Sequence, residues 1–207
     1  MSAPRQSANG EIVLVRHAET EWSLNGRHTG HTDIPLTDAG RAAAAALSPS
    51  LSSRSFELVL VSPSLRARET CELCGLGPSA QVCADLLEWD YGDYEGLTTA
   101  QIQSERPGWS LWRDGCPGGE RAADVGARAD RVIAELSAGM PAAVFSHGHM
   151  LRVLGARWIE LEASAGARLG LSTGAVCVLG QEHGTAIIAG WNRTAAGPQP
   201  GALARRA

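Results

Sequence analysis

Three short apolar runs, each followed at once by arginine or histidine, constrain this chain more than any other feature. Residues 11–15 (E-I-V-L-V) run into Arg16 and His17, residues 58–61 (L-V-L-V) into Ser62, Pro63 and Arg66, and residues 142–146 (A-A-V-F-S) into His147, Gly148 and His149. Short apolar runs rich in β-branched residues and bounded by polar ones mark buried strands. The segments between them carry helical spacing. Residues 38–47 predict a helix with Thr37 as its cap. Ser62-Pro63 predicts a helix start, with proline at the first helical position and an end near Leu73. Over 121–138, Ala122, Val125, Ala129, Val132 and Leu136 fall on one helical face. Leu151, Leu154, Trp158 and Leu161 do the same over 149–161. Residues 16–36 form a polar, glycine-containing loop. Residues 86–119 are irregular and rich in Trp, Gly and acidic residues, with one short helix near 98–105, and 175–179 with 186–191 predict a closing strand pair. Strands alternating with helices give an α/β fold, a single three-layer domain whose central sheet is mostly parallel with helices on both faces. Ligands bind such sheets at the carboxyl ends of their strands. The length of 207 residues suits one domain, expected over 11–193, with polar tails at 1–10 and 194–207 expected to be disordered.

Composition narrows the chemistry. All 18 basic residues are arginine and none is lysine, so Schiff-base catalysis, pyridoxal-phosphate attachment and a P-loop lysine are excluded. Any phosphate clamp must use arginine, histidine and backbone N–H groups. Arginine suits that role, because its planar fork meets two phosphate oxygens at once. The net charge of −4 carries no polybasic signal for nucleic acid, and no run approaches the ~18 apolar residues that span a bilayer. Five cysteines, an odd number, and an N-terminal segment without a signal-type apolar core predict reduced thiols in the cytoplasm. Cys71 and Cys74 form one C-x-x-C that lacks the two further ligands of a structural zinc site, and are expected to be buried or half-buried. His28, His31, Asp33 and His149 offer metal-ligand chemistry in principle, but their H-x-x-H-x-D spacing lies in a loop without a partner cluster. They are expected to be solvated loop residues, with no metal and no cofactor required.

The three strand ends carry the functional expectation. Singly, a histidine at a strand end or an arginine in a first helical turn is ordinary structure. Together, two arginines, two histidines and a helix N-terminus on one sheet edge make a phosphate site. Neutral imidazole can attack phosphorus near pH 7, since its unperturbed pKa is about 6.5. The nonbridging oxygens then need positive donors, a role open to Arg16, Arg66 and a protonated His147. Glu88, in L-L-E-W-D-Y-G-D-Y-E-G, is the candidate acid for the leaving oxygen and base for water.

At this point the residues resemble a known superfamily, the histidine phosphatases of phosphoglycerate mutase-like fold. V-R-H-A-E-T resembles the R-H-G-E-T signature, and the run from Glu21 to Arg41 resembles the same opening. S-P-S-L-R-A-R-E-T, L-E-W-D-Y-G-D-Y-E-G and S-H-G-H resemble the later motifs, in order, over roughly 11–192. The resemblance implies that His17 is the phosphorylated histidine, that Arg16, Arg66 and His147 complete the phosphate pocket, and that Glu88 is the proton donor. Ser23, Thr29 and Gly30 would line the substrate side of the first loop, and Tyr91, Gly148 and His149 would flank the pocket. Ala18 replaces the usual glycine and Ser23 the common asparagine. The lysine and arginine pair with which phosphoglycerate mutases hold a second anionic group read Thr98-Thr99 and Trp112-Arg113-Asp114. A phosphomonoesterase acting on a small phosphorylated metabolite is therefore expected, closest in look to bacterial broad-range acid phosphatases and the sedoheptulose-bisphosphatase-like branch. The alternatives are a cofactor-dependent phosphoglycerate mutase and a non-catalytic phosphate-binding module. Oligomeric state is not legible.

Overall fold

A computed structural model describes residues 10–136 and 139–194. Apart from Gly10 and Thr194, the two expected tails lie outside the described residues, as do positions 137 and 138 of the third predicted helix. Among the described residues six strands form one sheet: β1 (Ile12–Arg16), β2 (Leu58–Val61), β3 (Ala80–Val82), β4 (Ala142–Ser146), β5 (Val176–Glu182) and β6 (Thr185–Arg193), in the order β3-β2-β4-β1-β5-β6. The pairs β1–β4, β2–β4 and β2–β3 are parallel, and β5 and β6 close one edge antiparallel. Among the described residues, seven α-helices accompany it: α1 (Glu21–Asn25), α2 (Asp38–Ser52), α3 (Leu65–Leu73), α4 (Thr99–Glu105), α5 (Leu111–Asp114), α6 (Ala122–Glu135) and α7 (Gly148–Trp158).

Strand alternation explains the layering. Successive side chains point to opposite faces, so Ile12, Leu14, Leu60 and Val144 pack with Val125, Val132, Met150 and Leu154 of α6 and α7. Val13, Val15, Val59, Val61 and Phe145 face the other way, against Leu47 and Leu51 of α2 and Ala67 and Cys71 of α3. Both faces of β1, β2 and β4 are thus buried, which is why these strands read as unbroken apolar runs. The expected α/β fold, mostly parallel sheet and closing hairpin are present.

Several boundaries differ from expectation. The helix after β2 starts at Leu65, with Ser64 as its cap residue, rather than at Ser62-Pro63, and the Ser62 hydroxyl accepts from His147 Nε2. The last helix stops at Trp158, and Leu161 lies beyond it, exposed. Strand β3 and helices α1 and α5 stand where the sequence predicts no element. Thr37 caps α2 as predicted, its hydroxyl accepting from the Gly40 N–H. All five cysteines are free thiols. Burial pushes the Cys71 and Cys74 thiols up to about 12. Among the described residues no helix is long and apolar enough to cross a membrane.

Candidate active site

Register brings the three strand ends together. Strand β4 lies between β1 and β2, with Arg16 beside Ser146 and Val61 beside Phe145. The next residues of each strand, His17, His147 and Ser62, therefore meet at one edge. The rings of His17 and His147 lie 5.3 Å apart.

His17 is buried, and its Nδ1 is 2.8 Å from the carbonyl oxygen of Ala18. A carbonyl only accepts, so Nδ1 carries the proton and Nε2 keeps its lone pair. Burial, and then the charges of Arg66 and Arg16, hold the His17 pKa well below its ordinary value. The residue is thus neutral at pH 7, with its nucleophilic nitrogen defined. Thr70 steadies the supporting residue: its Oγ1 accepts the Ala18 N–H and donates to the Arg66 carbonyl.

Arg66 is completely buried. Its Nε–H donates to His147 Nδ1 at 3.1 Å, and its terminal nitrogens donate to the carbonyls of Thr29, Gly30 and Thr32. These bonds use four of its five N–H groups and leave one, on Nη1. Since Arg66 donates to Nδ1, His147 carries its proton on Nε2, which donates to Ser62 Oγ at 2.7 Å. Burial, followed by Arg66, lowers the His147 pKa well below its ordinary value. The expectation of a protonated His147 is therefore corrected: in this state it is a neutral acceptor that orients Arg66. Arg16 is tied to the Leu171 carbonyl and packs over Gly148, where a Cβ would stand 3.1 Å from its Cζ.

Glu88 is buried on the other side. Its carboxylate accepts N–H bonds from Trp89, His149 and Met150 at 2.9, 3.1 and 2.9 Å, the last two from the first turn of α7. Asp33 likewise takes the Leu65 N–H at the start of α3. At the helix N-termini, carboxylates thus accept the Leu65 N–H of α3 and the His149 and Met150 N–H groups of α7. Behind Glu88, Arg128 of α6 donates to the carbonyls of Asp85, Leu87 and Glu88 and grips the Glu120 carboxylate through two nitrogens at 2.8 Å. Tyr91 is buried, its hydroxyl 2.6 Å from His149 Nδ1. Burial, then the Glu88 charge, raises the Tyr91 pKa well above its ordinary value, so the phenol stays protonated.

The remaining predicted residues fall into place unevenly. Gly148 and His149 lie between Arg16 and Glu88. Thr29 and Gly30 turn their carbonyls to Arg66. Ser23 is engaged in capping α1: its Oγ accepts the Thr20 N–H and donates to the Thr20 carbonyl. The expectation that His28 is solvated is corrected, since it is buried with its ring 4.7 Å from that of Tyr91. Among the described residues no group of three or more His, Cys, Asp or Glu side chains is disposed to hold a metal ion. Reading side chains alone misses Ser62, Thr70, Glu120 and Arg128. Ser62 and Thr70 stand in S-P-S-L-R-A-R-E-T, so that motif holds the signal.

Known proteins share this arrangement of sequence and fold. An acid phosphatase from Mycobacterium tuberculosis is 40% identical over 186 residues, covering 87% of this chain and 91% of that protein. A sedoheptulose 1,7-bisphosphatase from Saccharomyces cerevisiae is 38% identical over 190 residues, 75% of this chain and 69% of its own length. The solved structure of an open reading frame product from Mycobacterium tuberculosis matches with a TM-score of 0.85 at 39% identity, covering 91% of this chain and 100% of that one. Residues 12–194 match the family model of the histidine phosphatase superfamily (branch 1). The chain belongs to the histidine phosphatase superfamily, branch 1.

Proposed function

We propose that this protein is a phosphomonoesterase that hydrolyses small phosphorylated metabolites in the cytoplasm through a phosphohistidine on His17. One observation carries the reading: the Nδ1 proton of His17 is fixed on the Ala18 carbonyl, which leaves Nε2 as a neutral nucleophile between two arginines. Nε2 attacks phosphorus as the P–O ester bond breaks, and the leaving oxygen takes, through Glu88, the proton that a monoanionic ester brings into the site. Arg16 and the remaining N–H of Arg66 answer the charge on the nonbridging oxygens. In the second step Glu88 takes a proton from water, the new P–O bond forms, and the bond from phosphorus to Nε2 breaks. Tyr91, Gly148 and His149 border Glu88 and frame the ester side.

A mutase would need a second anion clamp. The sequence positions for it are otherwise engaged: Thr98 caps α4, and Arg113 is paired with Asp114 and the Gly108 carbonyl. The test is phosphate release from a panel of phosphate esters, run beside His17→Ala. Release by the native chain and its loss by a factor on the order of 10⁶ in the variant are expected, as for other deleted nucleophiles. Efficient interconversion of 2- and 3-phosphoglycerate with little free phosphate would instead establish the mutase.

A further inference from the structure

The loop Thr29–Thr32 is held from two sides by opposite charges. Glu95 accepts the Gly30 N–H with both carboxylate oxygens, at 2.9 and 2.8 Å, and the Thr32 N–H at 3.1 Å. Arg66 donates to the carbonyls of Thr29, Gly30 and Thr32 at 2.9, 3.0 and 3.1 Å. The Gly30 N–H and the Thr29 C=O belong to one peptide group. Carboxylate, peptide and guanidinium therefore form a continuous chain of hydrogen bonds, and both ends polarise the peptide in the same sense. The contact leaves no slack: a Cβ on Gly30 would stand 2.7 Å from Glu95 Oε2 and 2.9 Å from the Trp89 carbonyl oxygen.

Arg66 has no carboxylate among its own hydrogen-bond partners, although it is fully buried. A buried cation needs a compensating charge. A carboxylate in direct contact would provide one, but it would occupy the fork and repel an incoming anion. Glu88 and Asp33 act on the Arg66 charge ahead of Glu95, and Glu95, one peptide away, adds to them and leaves the open N–H for phosphate.

We propose that Glu95 is a positioning residue for phosphate capture, which orients the Arg66 guanidinium through the Thr29–Gly30 peptide. The proposal deepens the phosphatase reading and rests on its phosphate pocket. It implies that Glu95 acts through Arg66 and on every phosphoryl ligand alike.

The test is a double-mutant cycle read as the binding of inorganic phosphate and of orthovanadate by titration calorimetry. Glu95→Gln is expected to weaken both anions on the order of tenfold. With Arg66 already changed to Met, the same substitution is expected to alter binding by less than about twofold. An equal loss in both backgrounds overturns the proposal, and so does a native chain that binds neither anion. A second readout needs no ligand: the Arg66 Nε–H resonance, identified by its loss in Arg66→Met, shifts in Glu95→Gln if the relay operates, and an unmoved resonance overturns it. If Glu95→Gln does not fold, Glu95→Asp, which keeps the charge and shortens the reach, takes its place in both measurements. A loss of binding that depends on Arg66, with a shifted resonance, then supports the proposal, and an equal loss or an unmoved resonance overturns it. Anion binding that follows the expected pattern without hydrolysis of any ester would end the phosphatase reading and leave the role of Glu95 standing.

Discussion

The two charged ends of the site are built in opposite ways. The phosphate end sits on regular structure: His17 and His147 follow adjacent parallel strands, and Arg66 rides the first turn of α3. The acid end sits on the irregular segment between β3 and α6, where Glu88 is held by backbone N–H groups and by an arginine reaching in from α6. Arg66 is fixed by carbonyls, and the Glu88 carboxyl group by amides. In the proposed mechanism the first end meets the phosphoryl group, common to every phosphate ester, and the second meets the leaving group, which differs among them. A sheet edge suits the invariant task, while a loop wall can change length and composition without disturbing the core.

This division can be broken by varying the leaving group. Glu88→Gln is expected to lower kcat/KM about 10²- to 10⁴-fold for alkyl phosphates, whose leaving oxygen needs a proton. It should do far less for p-nitrophenyl phosphate, whose leaving group departs as a stable anion. Arg66→Met should slow both classes by similar factors. Equal leaving-group dependence in the two variants would erase the distinction between the ends. A weaker effect sharpens it: Arg128→Met should reproduce the Glu88 pattern at about 10- to 100-fold on alkyl phosphates, because it only loosens the placement of Glu88. A loss shared by both substrate classes would make Arg128 a general stabiliser instead.

Acid pH probes the phosphate end, and its effect is the smallest. His17 and His147 are held neutral with folded pKa values below the ordinary 6.5. Below pH ~6.5 the unfolded chain takes up protons that the folded chain refuses. The stability they contribute is therefore complete above that pH and is lost as the pH falls toward their folded values. Urea midpoints should decline between about pH 7 and 5, and less so in His17→Ala. A flat profile would show that the two histidines are not buried neutral. In the free enzyme the acid limb of kcat/KM set by His17 should likewise lie below pH ~6.5.

The phosphate end is legible in the sequence because it coincides with the strongest local signals. Apolar runs ending in V-R-H and S-H-G-H place His17 and His147 once the strands are known to be parallel neighbours. Thr37 and Thr98 are visible as a cap and a helix boundary for the same local reason. What escapes depends on distant partners. Ser62 looks like a helix cap, but the hydroxyl serves His147, 85 residues away. Strand β3 is three residues long at a sheet edge and mostly exposed, too short to show a period. Leu161 continues an apolar stripe after the backbone has left the helix. Arg128 meets the carbonyls around Glu88, and Glu95 the N–H groups of Gly30 and Thr32; peptide groups are the same at every position, so no side-chain pattern announces these contacts.

The acceptor that fixes the tautomer of His17 is one of these peptide groups. Every residue that could replace Ala18 brings the same carbonyl, so no point mutation can delete the partner that keeps Nε2 unprotonated. The identity of the reactive nitrogen is therefore inherited with the path of the backbone rather than with a side chain. It is exposed to variation only at one remove, through a residue such as Thr70 that pins Ala18 in place.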